Sequence, residues 1–463
     1  MDYKPTIGLE VHVELKTATK MFCNSKNDPD EKRPNVNICP ICMAHPGTLP
    51  VHNKKAIEHV IRVGLAVGGT IADYTEMDRK NYFYPDIPKG YQLSQYKYPL
   101  VSGGELAGVE LTRIHIEEDT ARSIHDDKTG ESLVDFNRGG VPLMELVTEP
   151  VITSAKQAAD FAKELQLLLS PLYLNVSEAN LEKGEMRVEA NISINMGTKV
   201  EIKNLNSFKA VEKAIEFETK RQTELLEKGE KVVQETRGWD EDKGITFSQR
   251  KKETSHDYRY FPDPDIPKMW ISKIPEFKNL HETLPELPAV KRERFINKFG
   301  LKAEDAEVFV SDAQMSTLFE SAAAGLNTEE VKLLSNYLTS DLMGLVKNNL
   351  VKTWPTAEAM SELVKMISAG EISSRGAKDI LAVLAIQGGA PRAIAESHNL
   401  FQKSDESELL KIIDQVLAEN PQQAAEFKAG SEKVLQFLVG QGMKLSKGSA
   451  NPGLLAKLFK TKI

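Results

Sequence analysis

Carboxylates and amides recur on short strand-like stretches of the amino-terminal region: Glu10 with His12, the run His115-Ile-Glu-Glu-Asp119, Glu145 with Glu149, Glu189, and Glu201-Ile-Lys-Asn-Leu-Asn206. Oxygen donors with one imidazole suit a hard cation such as Mg²⁺ or Mn²⁺ beside a phosphate. Any one of these acids, taken alone, reads as part of a solvated sheet face. Gathered on one surface they would repel one another unless a cation lay among them. The loop Lys80-Asn-Tyr-Phe-Tyr-Pro-Asp-Ile-Pro-Lys-Gly90 adds basic groups and rings. Lys80 and Lys89 can hold phosphate as point charges, and Tyr82, Phe83, Tyr84 and Tyr91 can stack on a base, although packing of the loop over a sheet accounts for Phe83 equally well. Asp257-Tyr-Arg-Tyr-Phe-Pro-Asp263 has the same character and the same two readings.

Cys39-Pro-Ile-Cys42 with Cys23 upstream gives three thiols at zinc-like spacing. A structural zinc site needs four ligands. Ser25 is a poor fourth and nothing supports His45, so three buried or weakly interacting thiols are the stronger reading and zinc the weaker. The chain carries no Gly-x-x-x-x-Gly-Lys-Ser/Thr loop and no Gly-x-Gly-x-x-Gly after a strand, so a nucleotide site must be of another kind.

The elements that must position these groups follow from periodicity. Ile7, Leu9, Val11, Val13 and Leu15 alternate with Glu10, His12 and Glu14, and Met186, Val188, Ala190, Ile192 and Ile194 alternate with Arg187, Glu189, Asn191 and Ser193, which predicts strands with one apolar and one polar face. Helices are expected from about Asn53 to Gly68-Gly69, from Thr153 or Ser154 to near Pro171, and from Ser207 to Gly229. Pro-rich stretches at 261–267 and 284–288 exclude helix and central strand and mark a boundary. Beyond them 291–299, 328–337 and 357–367 have helical period. The expected class is α+β: a mixed or antiparallel sheet domain over 1–288, an all-helical domain over 289–400, and a small helical tail over 401–463.

With 463 residues, 41% hydrophobic and 27% charged, the composition is that of a globular protein, and no apolar run is long enough to span a membrane. An odd cysteine count without a signal segment suits a reducing compartment, and the cytoplasm is the expected location. The net charge of −8 argues against bulk adhesion to nucleic acid, but after Glu432 the chain has Lys433, Lys444, Lys447, Lys457, Lys460 and Lys462 and no acid, leaving −14 on the remainder. That asymmetry is a first functional clue, although a solvated basic helix surface explains Lys460 and Lys462.

Six blocks carry a family resemblance: Ile7 to Leu15, Lys80 to Asp86, His115 to Asp119, Asn137-Arg-Gly-Gly-Val-Pro-Leu-Met-Glu145, Glu201 to Phe208, and Asp257 to Phe261. Together they resemble the B subunit of the aspartyl/glutamyl-tRNA amidotransferases, and the segments 419–421, 437–441 and 448–452 look like that family's YqeY-like tail. The resemblance implies a cradle domain, a helical domain and a tail. It implies a ligase that uses ATP and Mg²⁺ to phosphorylate the side-chain carboxylate of Glu-tRNA(Gln) or Asp-tRNA(Asn), then amidates it with ammonia. It also implies a heterotrimer acting on misacylated tRNA, in which an amidase partner draws ammonia from glutamine and a small third subunit completes the assembly. Carried onto matching positions, it makes His12, Glu118, Glu145 and Glu201 the metal-centred catalytic set with Glu10 adjacent. Lys80, Asn81, Lys203 and Asn204 become nucleotide-binding, and Lys433, Lys444 and Lys447 tRNA-binding. Alternation alone puts Glu117, not Glu118, opposite Ile114 and Ile116; the choice of Glu118 rests on the resemblance. The chain departs from the family pattern at Ser25, at Glu189 and at Gln249. Two rivals remain: a noncatalytic tRNA-binding module, which would consume no ATP, and a metal-dependent hydrolase, which would turn over without it.

Overall fold

The computed structural model describes residues 3–126, 128–251, 258–402, 406–429, 432–446 and 450–462. The chain divides into two compact units, Met1–Pro288 and Ala289–Ile463. In the first, a mixed sheet is built around β1 (Pro5–Glu14). Two short strands, β2 (Asp78–Asn81) and β3 (Tyr91–Ser94), pair beside it. Further strands of the main sheet are β4 (Val109–Glu118), β5 (Pro142–Thr148), β6 (Met186–Ile194), β7 (Val200–Leu205), β8 (Glu235–Asp240) and β9 (Ile245–Lys251). Their spatial order is β9-β8-β7-β6-β1-β5-β4, continued by the two-residue strands Val101–Ser102 and Thr70–Ile71. All neighbours named by a β label run antiparallel except β7 and β8, which are parallel.

Sequence alternation becomes a two-faced sheet. Ile7, Leu9, Val11 and Val13 of β1 and Met186, Val188, Ala190 and Ile192 of β6 enter one apolar core. That core is completed by α1 (Lys54–Ala66), α2 (Ala155–Leu169) and α3 (Phe208–Glu227), through Ile57 and Val60, Phe161 and Leu165, and Val211 and Ile215. Each helix starts at the expected cap: Asn53 accepts from the Lys55 and Ala56 amides, Ser154 from Gln157, and Ser207 from Ala210. Because the helices cover the apolar face, the opposite face of the sheet is left to carry Glu10, His12 and their neighbours.

His59 on α1 is buried, with Nε2 3.0 Å from the Lys16 carbonyl oxygen. Burial holds its pKa below the usual value. Folding therefore favours the neutral imidazole, so this contribution is present above the unfolded pKa of about 6.5 and is lost as pH falls. Urea unfolding should give a lower unfolding free energy near about pH 5 than near about pH 7, and His59→Gln should reduce that difference; an unchanged slope would remove His59 as a source of acid sensitivity.

The regular elements of the second unit are all helices among its described residues, and they enclose two separate apolar cores. One gathers Phe295, Phe309 and Phe319 with residues out to Ala395, over helices that include Pro288–Phe299, Thr328–Asn336 and Ala357–Ser368. The other joins Leu409, Ile413, Leu438, Leu455 and Phe459 from the tail helices Glu406–Glu419, Glu432–Leu445 and Pro452–Lys462. No helix among the described residues is long and apolar enough to cross a membrane.

Candidate active site

Strand register brings the polar residues together. His12 lies opposite Glu145 on one side and Arg187 on the other, Glu145 opposite His115, Glu10 opposite Glu189, and Asn191 opposite Glu201. Neighbouring strands are about 4.8 Å apart, so this row condenses five strands of acids and imidazoles into one patch. Glu145 Oε2 is 3.3 Å from His12 Nε2 and 3.4 Å from His115 Nε2. Glu117 Oε1 is 3.8 Å from His12 Nε2.

Two triads result. Ligand atoms of His12, Glu117 and Glu145 lie within 4.8 Å of one another, as do those of Glu10, Glu189 and Glu201. Both line a cavity of about 560 Å³, together with Lys80, Arg113, Arg187, Lys199 and Lys203 and the rings of Tyr82, Tyr96, Tyr258 and Tyr260. Tyr96 and Tyr260 stack with centroids 4.4 Å apart, forming an aromatic wall. In the second triad Lys203 Nζ is 3.0 Å from Glu189, the Asn191 side-chain amide donates to Glu10 at 3.0 Å, and the Thr236 hydroxyl donates to Glu201 at 2.6 Å.

The electrostatics follow from crowding. Burial alone would pull the His12 pKa down, but the hydrogen bond and charge of Glu145, with Glu189 and Glu117 behind it, raise it to about 9. Burial alone would raise Glu145, yet His115, His12 and Lys80 hold it well below the ordinary carboxylate range. Glu117 is lowered in the same way by His115, Lys80 and His12, against burial and the Glu145 charge. Lys80 remains a cation despite burial because Glu117, Tyr260 and Glu145 surround it, and its Nζ sits 5.0 Å from the Tyr258 ring centroid. Once a bound cation displaces the His12 proton, the ionised carboxylates and one imidazole converging in this buried patch form a donor set that fits a hard divalent ion.

Of the residues expected in this site, His12, Glu10, Glu145, Glu201, Lys80 and Lys203 line the cavity. Three do not. Glu118 shares the side of β4 that carries Ile114 and Ile116; its carboxylate accepts the Leu93 amide at 3.0 Å, pairs with Lys89 and borders a different cavity, beside Cys42 and Gly140. Glu117, the residue that strict alternation selects, lines the acidic cavity in its place. Asn81 turns its amide to the Tyr258 and Arg259 carbonyls at 3.1 and 2.8 Å, so it anchors the segment bearing Tyr258 and Tyr260. Asn204 is exposed at φ 66° near the irregular register of β6 and β7, where the left-handed backbone turns it out of the patch.

Among the loop aromatics, Tyr82 reaches the cavity, whereas Phe83 and Tyr84 are exposed and Tyr91 lies under the Arg79 guanidinium. The sequence reading missed the roles of His115, Arg113 and Arg187, although their strand parity places them on the polar face. Asp257 and Lys447 lie outside the described residues.

Residues 5–274 match the model of the GatB/GatE catalytic domain, and residues 317–463 match that of the GatB domain. The chain is 44% identical, over the whole of both chains, to the B subunit of the aspartyl/glutamyl-tRNA(Asn/Gln) amidotransferase of Caldanaerobacter subterraneus subsp. tengcongensis. It is 42% identical to the B subunits of the same name from Picosynechococcus sp., covering all of this chain and 98% of that one, and from Persephonella marina, covering 99% of each. The chain belongs to the B-subunit family of the aspartyl/glutamyl-tRNA amidotransferases.

Proposed function

We propose that the acidic cavity phosphorylates the side-chain carboxylate of Glu-tRNA(Gln), Asp-tRNA(Asn) or both with ATP, and that ammonia then displaces the phosphate to give the amide. In the first step a carboxylate oxygen of the substrate attacks the terminal phosphorus and ADP leaves. In the second, ammonia attacks the acyl carbon, phosphate leaves and a proton is lost. A carboxylate resists ammonia, whereas an acyl phosphate carries a good leaving group, which is the chemical reason for ATP. The observation that supports this reading most is the single cavity in which His12, Glu117 and Glu145 meet Lys80 and Lys203.

Phosphoryl transfer asks chiefly for alignment and charge neutralisation. His12, Glu117 and Glu145 would hold Mg²⁺, which supplies charge neutralisation on the phosphates when bound. Lys80 and Lys203 hold phosphate oxygens as point charges, and the aromatic wall packs a ring or an acyl chain. No amidase signature is recognisable in the sequence, so ammonia comes from a glutamine-hydrolysing amidase partner, joined by a small third subunit in a heterotrimer. The test is amidation of each misacylated tRNA by the reconstituted complex, with and without ATP and after removal of Mg²⁺. ATP consumption dependent on misacylated tRNA is the expected result; amidation without ATP, or none with it, would reject the reading.

In the tail, Lys433 and Lys444 are both exposed on the helix Glu432–Leu445. Eleven residues is close to three helical turns, so they share a face. On the proposed reading they contact tRNA phosphates, and replacing both with Ala should weaken tRNA binding and reduce the slope of log K against log salt by about 1 per lysine. An unchanged slope in filter-binding titrations would remove the tail from the tRNA interface.

A further inference from the structure

Outside the acidic cavity lies a group that the proposed chemistry does not use. Lys20 has no solvent exposure; its Nζ donates to the Phe136 carbonyl at 3.0 Å and stands 3.8 Å from Cys42 Sγ. Cys42 Sγ also accepts the Cys39 backbone N–H at 3.1 Å, with Cys39 Sγ 3.9 Å away and Cys23 Sγ within the same 4.8 Å cluster. A structural zinc site needs a fourth ligand. Here the fourth neighbour is the Ser25 hydroxyl, 3.8 Å from Cys42 Sγ, and the cation already against that sulfur is the Lys20 ammonium. The set does not fit structural zinc.

Its geometry fits redox chemistry. A buried ammonium requires a facing anion, and an ammonium plus a backbone N–H directed at one sulfur are the groups that favour a thiolate. Cys42 is partly exposed and lines a cavity of about 190 Å³, so a small oxidant can reach it.

We propose that Cys42 and Cys39 form a peroxide-sensitive dithiol, with Cys42 attacking and Cys39 resolving. The Cys42 thiolate attacks one oxygen of hydrogen peroxide, giving a sulfenic acid and releasing hydroxide. The Cys39 thiol then attacks the Cys42 sulfur, forming the disulfide and releasing water; the two thiols are oxidised by two electrons and the peroxide is reduced. The product has no charge facing Lys20, so oxidation leaves the buried ammonium without its counter-ion and alters the wall shared by Cys42, Gly140 and Glu118.

The test uses the full chain, purified under reducing conditions, assayed for zinc and then treated with hydrogen peroxide. The expected result is no stoichiometric zinc, loss of two of its three titratable thiols, and a Cys39–Cys42 linkage in the peptide mass map. Cys39→Ser should accumulate a Cys42 sulfenic acid that dimedone traps, whereas Cys42→Ser should yield neither adduct nor linkage. Lys20→Met should slow the first step by about tenfold; if that variant does not fold, the Cys39→Ser trap decides. One equivalent of zinc with peroxide-resistant thiols, dimedone on Cys39 in place of Cys42, or a linkage through Cys23 would overturn the proposal.

Discussion

Glu145→Gln should lower tRNA-dependent ATP consumption and amidation by about 10²–10³-fold, the scale on which a single preorganised electrostatic contact contributes to a transition state. The substitution preserves shape but removes the charge that His12, His115 and Arg113 all face, at 3.3, 3.4 and 3.6 Å. It also replaces one of the two carboxylate donors in the triad where the divalent ion is proposed to sit with a neutral amide. Binding of tRNA should change far less, so the loss belongs in kcat. Glu117→Gln should behave alike. Glu118→Gln, whose carboxylate faces Leu93 and Lys89, should keep ATP consumption. Single-turnover ATP hydrolysis in the presence of misacylated tRNA reads the comparison, and the opposite ordering of the two glutamates would return Glu118 to the site.

The second large effect concerns what holds the site's scaffold. Glu218 of α3 is fully buried, and its carboxylate is enclosed by partners: Arg221 grips it in bidentate fashion at 2.6 and 2.9 Å, Gln222 and Thr246 donate at 2.9 and 3.0 Å, and Arg237 lies 3.7 Å away. This knot ties α3 to β8 and β9, the strands that extend the sheet beyond β7 and its Glu201 and Lys203. Glu218→Ala would leave two guanidinium groups without their shared anion, a change that costs about 3–5 kcal/mol when such a pair is buried. Urea unfolding of the chain should show a loss of that order. A loss below about 1 kcal/mol would mean that water and Glu235, which pairs with Arg237 at 2.6 Å, already satisfy the arginines.

Much of the architecture can be read locally. The period-two pattern of 7–15 and 186–194 separates core from polar face, and caps at Asn53, Ser154 and Ser207 mark the helix starts. Glu218 and Gln222 show the limit: both sit at buried positions of α3, where periodicity alone gives no reason for a carboxylate and an amide. Their partners come from Arg221 nearby, but also from Thr246 and the Ile192 carbonyl, distant in the chain.

The site divides in the same manner. Alternation along β4 alone selects Glu117 over Glu118, because side-chain direction is set by the pleat and needs no neighbour. That His12 meets Glu145 and Glu117, while Glu10 meets Glu189 and Glu201, depends on pairing across strands separated by more than a hundred residues. Asn81 and Asn204 stand in sequence beside the cavity lysines Lys80 and Lys203, yet one is drawn to the Tyr258 and Arg259 carbonyls and the other is turned outward by a left-handed backbone. The sequence by itself determined which face of each strand is polar and which residue types it offers. Only the tertiary structure decided which of them share a cavity, since register and hydrogen-bond competition are fixed between segments and not within them.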